Sequence, residues 1–592
     1  MDAEQKREER LRVFCAAVQG NPTSSVTHKS VGIIRSHSLD GQPNTPYYHQ
    51  LKAASKLYSN PYAVLAHGPG LGKTVTAYLS AAGIACRDGD DLKMLITAPL
   101  STLEQWYDTA QDWLKPAFAS RVHVVSSQQD LTKKTLKKPQ IIICTHQLLT
   151  CARQSCYYWE REDSFDPRFQ RYVGGWRRRP NTPLHPLFLT SFDMLIIDEV
   201  HTMRRPTSQV TLAHELVACN TRHRLGLTGT PVYNKPLDMV GLATALNADS
   251  FYRTVQNWST DPKHQTINRA TSERWSKYVH RATDAVLTPP LPDIVESYVS
   301  FKPGLRDYAL YNDYHMAAQD ARRRQESGGG KLNDNFKLLV YLQKMQQALI
   351  SPSLAEAGAQ AFAENPALIQ EAVRLDQPSL KTLRAQVRDL QSSGIHRVVV
   401  ACDRVMPLKI AQAMLRGANV GRVYLYDGSL SASARRTMKR EFLRSRGTPA
   451  VLLLSIAAGG TGLQLAPGAN GMILWGARPF SAQQVWQTVK RIHRIGQTST
   501  VHIRHIVATG SVDAGIVEMH KSKVALADAI VDGKWDDLAD KSSGNEYRWH
   551  FYNRLMDYVA RARPDGVFAH LPPEQSGVKW DDPARVVNGV VY

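Results

Sequence analysis

The sequence predicts an α/β fold of two doubly wound parallel-sheet lobes joined by a largely helical stretch. Three observations lead there. Short, almost wholly apolar runs alternate with helix-compatible segments between about Tyr62 and Thr230, and the same alternation resumes between about Ser379 and Ala508. Between the two, from about Leu237 to Pro378, there is little β character. A strand covered by helices on both faces reads as a continuous apolar run, and repeated strand–helix–strand units imply a parallel sheet.

The first lobe's strands are expected at Tyr62–Ala66, Met94–Thr97, Ile141–Cys144, Met194–Ile197 and Arg224–Leu227, with a helix at Thr74–Cys86. Those of the second are expected at Arg397–Cys402, Val423–Tyr426, Val451–Ser455, Met472–Trp475 and His502–Val507, with helices near Val405–Leu415 and Ser431–Arg444. The intervening stretch holds helix-compatible runs such as Phe336–Leu349 and a glycine-rich loop at Ser327–Gly330. Cys151–Thr190 is aromatic and basic and too long for an ordinary connection, so it reads as an insertion.

Composition narrows the function classes. In 592 residues there are 73 Lys+Arg against 53 Asp+Glu, a formal net charge of +20, which favours a polyanionic partner. No apolar run approaches the ~18 residues that cross a bilayer, and the charged N-terminus does not read as a secretory signal. Seven scattered Cys form no disulfide framework and point to a reducing compartment.

The strongest local signal is Gly70-Leu71-Gly72-Lys73-Thr74, directly after a strand and opening a helix. Glycines let backbone N–H groups close around phosphate oxygens at a helix N-terminus. Lys73 would neutralise the terminal phosphates and the Thr74 hydroxyl would ligate Mg2+. Asp198-Glu199-Val200-His201 ends another buried strand, at the sheet edge where ligands bind. There Asp198 would hold Mg2+ and Glu199 would activate the attacking water. Leu227-Thr228-Gly229-Thr230-Pro231, with Asn234, would sense the terminal phosphate. In the second lobe Gly459-Gly460-Thr461-Gly462-Leu463 follows a strand, and Gln487 to Gln497 carries Arg491 and Arg494. A helix starting at Ser481, with Gln484 completing a capping box, would put both arginines on one face to meet a phosphoryl-transfer transition state. Cys144, His146, Cys151 and Cys156 were weighed as a zinc set, but their spacing is not a ribbon pattern and buried or loop thiols are preferred.

In this order GLGKT, DEVH, LTGTPVYN, SIAAGGTGLQL and QTVKRIHRIGQ resemble the helicase superfamily 2 ATPases, and more narrowly the Swi/Snf branch of ATP-dependent double-stranded DNA translocases. Weaker elements fall in register. Pro46-Tyr47-Tyr48-His49-Gln50 resembles the adenine-recognising motif, and Ile96 to Leu100 with Trp106 resembles motif Ia. Tyr341–Met345 through Ser351-Pro352 resembles the inter-lobe segment, Asp427-Gly428 with Arg435 the second-lobe DG…R element, and Gly510–Ala529 a brace helix. The resemblance implies two RecA-like lobes. It divides the chain into an N-terminal extension (1–45), lobe 1 (46–236, with the 151–190 insertion), a helical inter-lobe region (237–378), lobe 2 with its brace helix (379–532) and a C-terminal extension (533–592). It implies ATP and Mg2+ as cofactors. The catalytic residues would be Lys73, Asp198, Glu199, Arg491 and Arg494, and the nucleotide would contact Gln50, Gly70, Leu71, Gly72, Lys73, Thr74, Gly462 and Gln487. The metal ligands would be Thr74 and Asp198. His67 and Gly68 stand where the family usually has acidic residues and Gln464 replaces an Asn, which marks a divergent member with a viral source among the readings.

The expected partner is double-stranded DNA, with no membrane, and the expected location is intracellular at DNA: the nucleus of a eukaryotic host, or a virion. The basic clusters Lys133–Lys138, Arg177–Arg179, Arg322–Arg324 and Arg435–Arg440 are candidate phosphate contacts, the first also a candidate nuclear import signal. The alternatives are a strand-separating helicase or viral transcription-linked NTPase, and a non-catalytic DNA-binding scaffold.

Overall fold

The computed structural model describes residues 12, 14–16, 33–89, 91–132, 135–138, 140–166, 171–229, 238–248, 278–287, 289–326, 332–444, 447–459, 463–517, 520 and 585–587. The chain divides into two compact units at Leu287/Thr288, and each is taken by itself.

The first unit is built on seven parallel strands: β1 (Tyr62–His67), β2 (Met94–Ala98), β3 (Val122–Val124), β4 (Ile141–Thr145), β7 (Phe192–Ile197), β8 (Thr221–Thr228) and β9 (Val279–Ala282). Between β4 and β7 lies a separate antiparallel hairpin of β5 (Tyr157–Asp166) and β6 (Arg171–Arg178). The sheet order is β3-β4-β2-β7-β8-β1-β9. Every residue of β1 and β2 is buried, as continuous apolar runs between two helical layers require. One layer includes the helix Lys73–Asp88, which packs Ala77, Tyr78, Leu79 and Ala81 against Ile96, Ile196 and Leu225. Each fully buried aliphatic side chain contributes about 1.5–3 kcal/mol. Part of the N-terminal extension belongs to this core. Phe14 is fully buried against the helix, and the Lys115 N–H donates to the Ile33 carbonyl at 2.9 Å.

The second unit repeats the plan with β10 (Ile294–Phe301), β11 (Arg397–Cys402), β12 (Arg422–Tyr426), β13 (Ala450–Ser455), β14 (Gly471–Leu474), β15 (Val501–Ala508) and β16 (Arg585–Val587), in the order β12-β13-β11-β14-β15-β10-β16. All pairings are parallel except β10 with β16. Both units are therefore doubly wound parallel-sheet lobes.

All ten expected strands are present, with one to three residues added at some ends. The stretch expected to be helical is so over Leu305–Glu326, Leu332–Ala348, Pro352–Glu364 and Ala367–Arg374. It also contributes two strands, β9 to the first sheet and β10 to the second, which the sequence did not signal. β10 (IVESYVSF) mixes polar and apolar residues and is mostly half-buried, as a strand near the sheet margin allows, so it offers no continuous apolar run. The insertion also resolves differently. Cys151–Cys156 complete an ordinary helix, His146–Cys156, and the extra chain begins with β5. Ser327–Gly330, Thr230, Pro231, Asn234, Gly460, Thr461, Gly462, Lys133, Lys134 and most of Gly510–Ala529 lie outside the described residues. Among the described residues no helix is long and apolar enough to cross a membrane.

Candidate active site

Three neighbouring strands, β7, β8 and β1, end at one edge of the first sheet and carry the DEVH segment, Thr228 and the glycine loop respectively. Their parallel register places these loops side by side: Ala66 is opposite Thr228 and Ile197 opposite Gly226.

The glycine loop turns on Gly70 (φ +89°) and Gly72 (φ +75°), both in the left-handed region, which only glycine adopts at little cost. Gly72 caps the helix Lys73–Asp88. A Cβ there would run into the Gln50 side-chain amide. Gln50 is buried, donates to the Leu71 carbonyl at 3.3 Å and accepts from the Tyr47 N–H at 3.0 Å. The adenine-motif candidate is thus fastened to the phosphate loop. Lys73 Nζ donates to the carbonyls of His67 (3.0 Å) and Gly68 (3.5 Å), and Thr74 is half-buried in the helix's first turn.

Asp198 leaves β7 with its carboxylate buried. Its Oδ2 accepts from the Trp106 indole N–H at 2.9 Å and its Oδ1 from the Glu199 N–H at 3.0 Å. Burial, then the neighbouring Glu199 carboxylate, pushes Asp198 up to about 6, while Trp106 and the Lys73 charge act the other way. One donor per oxygen leaves lone pairs for a hard cation. A carboxylate with a hydroxyl such as Thr74 is the donor chemistry Mg2+ takes, so the residues fit that ion. Glu199 adopts a left-handed backbone (φ +49°). His201 Nδ1 lies 3.1 Å from Glu199 Oε2 and 3.1 Å from Thr228 Oγ1, joining the DEVH acid to the end of β8.

Two groups of imidazoles underlie this edge. His214 Nε2 is 3.0 Å from Thr97 Oγ1 and 3.3 Å from His146 Nδ1. Burial holds His146 at about 3 and His214 at about 4. His67, fully buried at the end of β1, meets His280 Nδ1 of β9 at 3.0 Å and is held well below its usual range by burial, then by His280, Lys73 and His49. His49 in turn approaches the Leu71 carbonyl at 3.1 Å. The position where the family usually has an acid is therefore a neutral imidazole in a packed cluster.

In the second unit Arg491 and Arg494 do not share a helical face. The helix is Ala482–Val489, Ser481 makes no side-chain cap, and both arginines lie in the turns that follow, which corrects the expectation. The turns form because Gln497, buried, donates from Nε2 to the carbonyls of Ala469 and Ile492 at 2.9 Å each and accepts from the N–H groups of Thr498 and Ser499. His493 Nε2 faces the Pro292 carbonyl at 2.8 Å, so it is the donor, and Nδ1 accepts from Lys490 Nζ at 2.8 Å. Arg491 Nη1 donates to the Leu463 carbonyl at 3.5 Å, and the Leu465 N–H donates to the Arg491 carbonyl at 3.0 Å. The chain just after Gly462 is thereby tied to Arg491. Arg494 is half-buried, and burial lowers its guanidinium. Gln487 is buried. Arg435 Nη2 donates to the Gly428 carbonyl at 3.2 Å, closing the DG…R element.

Sequence reasoning did not assign roles to His201, Tyr78, His146, His214 or His280. Trp106 enters the sequence reading only through its resemblance to motif Ia, with no role of its own. Its contact with Asp198 spans 92 positions, and no local spacing signals it. Cys144 is buried on β4 and raised to about 12 by burial, while His146, Cys151 and Cys156 lie on the following helix.

Residues 48–354 match the SNF2-related domain and residues 380–496 the helicase conserved C-terminal domain. The chain belongs to the SNF2-related family. It is an ATP hydrolase of the helicase-like kind. Its relatives include the probable global transactivator of Orgyia pseudotsugata multicapsid polyhedrosis virus, 25% identical over 79% of this chain and 86% of that protein. The chromodomain-helicase-DNA-binding protein 3 homolog of Caenorhabditis elegans is 25% identical over 88% of this chain. Human DNA repair and recombination protein RAD54B is 23% identical over 79%. The chain spans only 29% and 52% of the last two. Among solved structures, the Sulfolobus solfataricus SWI2/SNF2 ATPase core in complex with dsDNA aligns over 85% of this chain and 95% of that one, at 20% identity and a TM-score of 0.35.

Two outcomes follow from this geometry. Gly72→Ala adds backbone strain of about 1–2 kcal/mol and displaces Gln50, so the rise in melting temperature on adding ADP should shrink; a wild-type rise would refute the role given to that approach. The buried imidazoles predict an acid-sensitive first unit. His146 and His214 stay neutral in the fold while the unfolded chain protonates near 6.5, so stability is whole above that pH and is lost as pH falls from 6.5 towards 4. Each group contributes up to about 1.4 kcal/mol per pH unit. Asp198, raised to about 6, opposes this with one proton below that pH. Unfolding of the first unit should therefore need less denaturant at pH 5.5 than at pH 7.5, and an unchanged midpoint would contradict the assignment.

Proposed function

We propose that this ATPase is a motor on double-stranded DNA, turning hydrolysis into movement along the duplex or remodelling of protein–DNA complexes. The observation that carries the reading is the juxtaposition, on three adjacent strands, of the glycine loop with Lys73 and Thr74, the acids Asp198 and Glu199, and Thr228. Family membership and a net charge of +20 support the DNA substrate. Phosphate contacts carry no sequence information, so such binding is salt-sensitive and sequence-tolerant, as a moving motor requires.

In this mechanism the loop N–H groups and Lys73 bind the phosphates of ATP and Gln50 the adenine side. Thr74 and Asp198 hold Mg2+, which when bound neutralises charge on the phosphates. Glu199, oriented by its left-handed backbone and by His201, takes a proton from the attacking water. Arg491, Arg494, Gly462 and Gln487 are the second lobe's residues in this reading, where the two guanidiniums would offset charge developing in the transition state. The step that converts hydrolysis into motion is a change in how the lobes engage the nucleotide. The polyhedrosis-virus relative is named a probable global transactivator, which supports a transcription-linked use of the motor. Location at DNA, in the nucleus of a eukaryotic host or in a virion, accords with the viral and chromodomain-helicase relatives.

The purified chain should hydrolyse ATP slowly alone and at least several-fold faster with double-stranded DNA. Equal stimulation by RNA, or none by DNA, would overturn the substrate. Lys73→Ala should abolish turnover while leaving the melting temperature and DNA affinity near wild type.

A further inference from the structure

The geometry points to Trp106 as a positioning residue for the cation site, an indole bolt that joins the acid of β7 to the helix of the phosphate loop. The inference rests on the reading of Asp198 and Thr74 as the Mg2+ ligands. Trp106 is fully buried in the first turn of the helix Leu103–Trp113. Its indole N–H donates to Asp198 Oδ2 at 2.9 Å, a bond to an ionised acceptor and hence among the stronger hydrogen bonds. Its own carbonyl accepts from the Tyr78 hydroxyl at 2.9 Å, and the Tyr78 ring meets the indole edge-on at 5.5 Å. Tyr78 lies one turn along the helix that begins with Lys73 and Thr74.

Asp198 and Thr74 thus sit on different elements, and Trp106 with Tyr78 forms a buried, directional path between them. The other donor to Asp198, the Glu199 N–H, comes from the adjacent residue and fixes the carboxylate only against its own loop. Trp106 alone among the donors to Asp198 given by the described residues refers it to another element. A phenylalanine at 106 would fill most of the same space but release Oδ2, leaving the carboxylate free to rotate. Partners that orient a metal-ligating carboxylate typically change metal affinity 10–100-fold when removed.

The test compares wild type, Trp106→Phe and Asp198→Asn, first for melting temperature and then for binding of a fluorescent ADP analogue in EDTA and across a Mg2+ titration. The Mg2+ dependence of ATPase is read alongside. For folded Trp106→Phe we expect the Mg2+ concentration giving half of the cation-dependent gain in ADP affinity to rise roughly tenfold, with affinity in EDTA unchanged and turnover recovering at high Mg2+. A wild-type Mg2+ requirement overturns the proposal. So does an equal loss of affinity in EDTA and in Mg2+, which marks general loss of structure. Should Trp106→Phe fail to fold, Tyr78→Phe is read the same way, with a several-fold shift expected and no shift overturning it. If Asp198→Asn itself leaves the Mg2+ requirement unchanged, the cation-site reading fails; if it raises the requirement while Trp106→Phe does not, only the role of Trp106 fails.

Discussion

A carboxylate held at the closed end of a buried strand is the constraint around which the first lobe is arranged. Removing Asp198 from water disfavours its charge, and the adjacent Glu199 adds to that cost. The fold offsets it with an indole N–H, a backbone N–H and the nearby Lys73 charge. Each of these needs a different part of the lobe in place. The indole requires the helix after β2, the backbone donor requires the left-handed turn at Glu199, and the lysine requires the glycine loop after β1. The apolar packing of β1, β2 and β7 is what makes those three supports rigid.

The departure at His67 follows the same logic. An acid there would draw the Lys73 charge towards itself. A neutral imidazole leaves the His67 and Gly68 carbonyls to receive Lys73 Nζ. It also meets His280 on β9, a strand supplied from beyond the DEVH and β8 segments. Burial holds His67 and His49 below the usual imidazole range, which disfavours a second positive charge beside Lys73. The loop's entrance is built differently here from the family's usual form, and the difference is coherent across three elements.

What the sequence made legible divides by distance along the chain. Strands buried on both faces, such as β11 and β13 with Val398 opposite Val451 and Val400 opposite Leu453, announce themselves as apolar runs. Glycines with positive φ, such as Gly72, announce themselves by motif. The marginal strands β9 and β10 did not, because a strand near a sheet margin needs fewer apolar residues, and β10 reads as a mixed segment. The helix expected to carry Arg491 and Arg494 was extrapolated from a favourable start. Its end is set by Gln497 bonding to Ala469, 28 positions away, which no local pattern reveals. The Trp106–Asp198 bond was hidden for the same reason.

The net charge of +20 acquires structure from these details. Lys73 is engaged within the glycine loop, Arg491 is tied to the chain following Gly462, and Arg494 is half-buried with its charge disfavoured. None of these three is placed as a solvated surface charge. A guanidinium lowered by burial gains most when an anion arrives, since the same low-dielectric surroundings that penalise it alone strengthen its attraction to a phosphate. Exposed clusters such as Arg177–Arg179 are screened by salt and by water. The two populations therefore do different work. The half-buried, internally bonded cations suit a compact polyphosphate whose charge changes during reaction. The exposed ones suit a long polyanion that must be held and released repeatedly.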